Sequence, residues 1–97
     1  MLYRHGDVLL QKVSTLPTGQ RRPGNTLAHG EVTGHSHRFS DPASVQLWQV
    51  GPQLYAEVFC AADLIHEEHA TIRLEPGMYQ VWMQREYSPE AIRRVRD

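Results

Sequence analysis

The chain has 97 residues, 40% of them hydrophobic and 22% charged, the balance of one small globular domain rather than a disordered or fibrous chain. A formal net charge of −1 excludes a global pull toward nucleic acid or anionic lipid, although basic residues cluster at Arg21-Arg22 and at Arg93, Arg94 and Arg96. A lone Cys60 excludes an internal disulfide, and no apolar run approaches the ~18 residues of a membrane helix.

"MLYRHGDVLL" carries polar interruptions where a secretion leader needs a continuous apolar stretch. A soluble, cytoplasmic protein with a reduced thiol is therefore expected. The first strand is expected in "GDVLLQKV", residues 6–13, where side chains alternate. "STLPTGQRRPGNT" reads as a long loop of the functional or mobile kind. "LAHGEVTGHSHRFS" gives two short strands, or one bent strand, across 26–40, with Gly30 and Gly34 marking bends or a close backbone approach.

"SDPAS" is a turn. "VQLWQV" alternates as a strand, "GPQ" turns, and "LYAEVFC" is the next strand. "AADLIHEEHA" reads either as one helical turn or as an irregular loop leading into "TIRLE". Pro76-Gly77 is a turn signal, after which Tyr79, Val81 and Met83 share one side of a strand. In "SPEAIRRVRD", Ser88 can cap a helix, Pro89 suits its first position and Glu90 its positive end, with Ile92 and Val95 on one face. The sum is one all-β domain over 1–97: a small barrel or jelly-roll-like sandwich of seven or eight short strands with a short C-terminal helix.

The chemistry concentrates in histidine. His35 and His37 stand two apart, so on an extended strand they share a face with Phe39 and can meet one cation. His66 and His69 stand three apart and converge only on a helical turn or in a tight loop. This spacing does not match the zinc-protease helix, which needs histidines four apart. The expected metal ligands are therefore His35, His37, His66 and His69. Imidazole with carboxylate suits a divalent transition ion, zinc first and Fe, Mn, Ni or Cu as alternatives.

Glu67, Glu68 and Glu86 are candidate bases or further ligands, and Arg85 a candidate anion clamp, with Gln84 and Tyr87 beside them. The plain alternatives are solvated surface imidazoles and a solvated strand end carrying an Arg–Glu pair. His5 and His29 are read as surface or turn residues. Trp48, Trp82, Tyr55 and Phe59 are read as core or half-buried, and Cys60 as a small buried hydrophobe.

The blocks "GDVLL", "GEVTGHSHRF", "HEEH", "PGMYQV" and "QREYSPE", spread over nearly the whole chain, resemble a group of small uncharacterised bacterial and phage-associated proteins. That likeness implies no activity. Gly30, His35 and His37 are also similar to the start of a cupin's first motif, and Pro76-Gly77 to part of its second. The glutamate a cupin carries after its histidines is missing, since "RFSD" offers only Asp41. No histidine follows the later turn either, so His66 or His69 would have to stand in for it.

Two functions follow. The first is a small β-barrel-like protein holding one transition metal for hydrolysis, or related chemistry, of a small or nucleotide-type substrate. The second is a non-enzymatic module with a structural metal, acting through a protein or RNA partner; near-neutral charge weighs against strong RNA affinity. Self-association of the chain is compatible with either, and no membrane partner is expected.

Overall fold

The structure, a computed structural model, describes residues 2–15, 17–30 and 34–83. Ten strands run through them: β1 (Leu2–His5), β2 (Val8–Val13), β3 (Gln20–Arg22), β4 (Thr26–His29), β5 (Ser36–Phe39), β6 (Val45–Val50), β7 (Gln53–Val58), β8 (Ala62–Ile65), β9 (Ile72–Leu74) and β10 (Gly77–Met83). A 3-10 turn over Pro42–Ser44 leads into β6, its start capped by the Asp41 carboxylate, which accepts from the Ala43 N–H.

The strands form two antiparallel sheets. One has the order β1-β2-β10-β7-β6-β3, the other β4-β5-β8-β9. They pack on one core as a sandwich. Alternation sets the inner faces: Val8 and Leu10, Tyr79 and Val81, Ala56 and Val58, and Val45 and Leu47 come from the first sheet. Phe39, Leu64 and Leu74 answer from the second, each fully buried. Phe39 pairs with Leu64 and Ala62 with Leu74 across neighbouring strands, so the second sheet buries a continuous apolar face. Tyr79 reaches full burial because its hydroxyl donates to the Glu75 carbonyl at 2.7 Å.

The expected barrel is corrected by this topology: the described strands make two separate sheets, not a closed one. Strand number also exceeds expectation, because three segments not expected as strands form them. "LYRH" forms β1, paired with β2 through a two-residue Gly6-Asp7 turn. "QRR", expected in a loop, forms the edge strand β3 against β6, with the Arg21 guanidinium 5.8 Å from the Trp48 ring centre. "ADLI" is strand β8 rather than a helical turn, and the histidine pair after it lies in the β8–β9 loop. Cys60 and Phe59 are exposed, not core residues. The expected C-terminal helix, with residues 84–97, lies outside the described residues. None of the described helices is long and apolar enough to cross a membrane.

Candidate metal centre

The histidines that matter come from four places in the fold. His5 ends β1. In register it pairs with Val8, which pairs in turn with Met83, so it sits in an inward-facing row and is only 1% exposed. His37 lies on β5 two residues before Phe39 and is 5% exposed. His66 and His69 belong to the loop after β8, and His35 precedes β5 by one residue.

His35, His37, His66 and His69 line a cleft of about 330 Å³ together with His29, and His5 lies behind them against His37. Ring centres are 4.9 Å apart for His5 and His37, 4.3 Å for His37 and His66, and 4.6 Å for His66 and His69. All six histidines of the chain thus gather on one region.

Their ligand atoms fall into two groups. His37, His66 and His69 have nitrogens within 4.8 Å of one another; so do His35, His66 and a Glu67 oxygen. His66 belongs to both. The 35/37 pair is therefore divided between two groups rather than presented to one point. His35 instead approaches Glu68, Nδ1 to Oε1 at 3.4 Å, at the cleft mouth.

The β1–β2 turn closes over the cluster. Gly6 has φ +62°, and a Cβ built there would lie 2.6 Å from His69 Nε2 and 3.0 Å from His37 Cε1. Only glycine lets this turn approach the rings. Asp7 follows, its Oδ1 3.2 Å from His37 Nε2.

Electrostatics keep the inner rings neutral. Burial, then the neighbouring His66 and His5 rings, push His37 down to about 4 against the opposing pull of Asp7. Burial also lowers His5; the Ala70 backbone acts the other way, and His69 and His66 add to the lowering. Neutral imidazole is the metal-binding form. His5 Nε2 is buried and meets no partner at ordinary hydrogen-bond geometry among the described residues, although the Ala70 backbone is near enough to favour a proton on the ring.

His66 Nδ1 accepts the Glu68 N–H at 2.9 Å. To act as a ligand it must exchange that bond for the ion, or bind through Nε2 after the bond breaks.

Glu67 has a different task. Its Oε1 accepts the Ser36 N–H and its Oε2 the Arg38 guanidinium, both at 3.0 Å. The Ser36 N–H, its own backbone N–H and Arg38 lower its carboxyl to about 2. It braces the start of β5 and is already committed as an acceptor. Glu68 and Asp7 are the carboxylates that line the cleft. Arg85 and Glu86, with Gln84 and Tyr87, lie outside the described residues.

Sequence reasoning missed His5 and Asp7. The available signal was the alternation of Leu2 and Arg4, exposed, with Tyr3 and His5, inward, ahead of a Gly-Asp turn.

An all-β sandwich with a histidine-lined cleft at the β1–β2 turn is the class these features define. The chain belongs to the family described as a domain of unknown function, DUF8820, whose model matches residues 4–84, a span holding every histidine discussed above. Comparisons with curated proteins and with solved structures give no match.

Proposed function

We propose that this protein binds one divalent first-row transition ion in the histidine cleft, zinc being the first choice and Fe, Mn, Ni or Cu the alternatives. The observation that carries the reading is the grouping of three imidazole nitrogens, from His37, His66 and His69, within 4.8 Å of one another. The chemistry of the donors fits: borderline-soft nitrogens with carboxylates alongside suit these ions. His35 stands at the mouth as an outer ligand.

Three protein ligands would leave room for a water, and an ion so held would supply Lewis acidity to it. Hydrolysis of a small substrate is the chemistry we assign. A cleft of about 330 Å³ is at the small end of ligand pockets, which supports a small molecule over a macromolecule. Glu68, exposed beside His35, is the carboxylate placed to move a proton at the mouth. Glu67 drops out of that role because its oxygens are taken.

A second reading has one specific support. The three grouped donors come from β5 and the β8–β9 loop of one sheet, and Asp7 of the β1–β2 turn, from the other sheet, lies 3.2 Å from His37 Nε2, so an ion there would sit where the two sheets meet. In that version the metal chiefly stabilises a small core, and the role is binding a protein or RNA partner.

Zinc titration of tag-free protein against a chromophoric chelator tests the proposal. One equivalent should bind, and His37→Ala or His69→Ala should weaken it at least tenfold. Zinc-dependent turnover of an activated ester, reduced in Glu68→Gln, separates the hydrolytic reading from the structural one.

A further inference from the structure

His5 and His37 meet through the same atom type. Nδ1 of one ring lies 2.9 Å from Nδ1 of the other, so one proton is shared between them. With one proton on each ring, as neutral imidazole carries, the pair has two arrangements.

In the outward arrangement, His5 Nδ1–H donates to His37 Nδ1, and His37 Nε2–H donates to Asp7 Oδ1 at 3.2 Å. That leaves His5 Nε2 as a bare lone pair in a fully buried place. In the inward arrangement, His37 Nδ1–H donates to His5 Nδ1. The His5 proton then resides on Nε2, and the Ala70 backbone favours a proton on this ring. His37 Nε2 is now the bare atom, next to the Asp7 carboxylate and on the cleft that holds His66 and His69. Two lone-pair atoms side by side at 3.2 Å repel unless a cation joins them.

We infer that His5 is a positioning residue that accepts the His37 Nδ1 proton, so that His37 Nε2 and Asp7 Oδ1 are presented together to a divalent cation, and that cation binding turns the pair from the outward to the inward arrangement. This rests on the metal reading above and adds Asp7 as a fourth ligand and His5 as the support of His37, so that a water would have to enter as a fifth ligand. Outer partners of this kind fix the tautomer of a ligating imidazole. The orphaned buried Nε2 is accounted for by the same step, because the cation-loaded state puts a proton on it.

The test uses the full chain without a tag, and Zn²⁺ alone as probe. His5→Phe, which fills the site but accepts no proton, should lower zinc affinity 10- to 100-fold, the usual effect of removing such a partner. His5→Gln, whose side-chain carbonyl can accept the Nδ1–H, should recover most of the loss. Asp7→Asn should weaken binding by tenfold or more. Because His5→Phe can fail to fold, ¹⁵N spectra of the wild-type histidines give an independent readout. On zinc addition His37 should become protonated at Nδ1 and metal-bound at Nε2, while His5 carries its proton on Nε2. Unchanged affinity in folded His5→Phe, or metal at His37 Nδ1, overturns the inference and leaves the metal reading standing. A wild-type chain that binds no zinc overturns both.

Discussion

Gly6 and His69 are so close that a single added carbon would collide: a Cβ on Gly6 falls 2.6 Å from His69 Nε2. The turn that ends β1 is therefore built down onto a ring from the β8–β9 loop, and the two sheets meet there through histidine rather than through apolar side chains.

Gly6→Ala should accordingly show two defects. The backbone at φ +62° costs a non-glycine residue about 1 kcal/mol, and the clash adds to it. Urea denaturation should report a loss of about 1–3 kcal/mol. Zinc affinity should fall at least tenfold, because His69 has to move.

Acid should destabilise the metal-free protein through His37. Its unfolded ring takes a proton near 6.5, whereas the folded ring waits until about 4. Between those values the unfolded state binds more protons, so stability rises with pH and is lost as pH falls from 6.5 toward 4. Glu67 acts in the same direction lower down: lowered to about 2, its contribution is present above 4.5 and fades as pH falls through 2. Urea midpoints from pH 7.5 to pH 4 should decline, and His37→Phe should flatten the upper part of that decline.

The two neighbouring glutamates should separate cleanly. Glu67→Gln loses the charge that holds the Ser36 N–H and Arg38, so its effect should be a small fall in thermal midpoint. Glu68→Gln should leave the midpoint unchanged and lower zinc-dependent turnover. Thermal melts and an esterase assay on both variants check this; equal turnover in the two would remove Glu68 from the chemistry.

Phe39→Ala removes a fully buried ring from the core, two residues from His37. A loss of about 3–5 kcal/mol is expected for such a deletion. Phe39→Leu should restore most of it, and with it the zinc affinity, since β5 would again be seated on the core.

Local sequence carried the strands with clean alternation, such as "VQLWQV" and "MYQVWM", and it singled out all four of His35, His37, His66 and His69. It did not carry β3, whose "QRR" has no apolar pattern and is a strand only because β6 offers it an edge. Nor did it carry His5. A histidine next to Gly-Asp reads as turn polarity until the pairing of β1 with β2 turns it inward. The division of the 35/37 pair between two groups is likewise a tertiary fact: His35 lies just outside β5, so strand alternation does not govern it. What a spacing rule cannot supply is which of several nearby rings share one point.

The most direct measurement is the metal content of the chain, expressed and purified without a histidine tag and analysed by elemental mass spectrometry. Close to one transition-metal ion per chain, lost in His37→Ala and His69→Ala, is the expected result. A wild-type chain that carries no metal, and takes up none when offered zinc, would contradict the account.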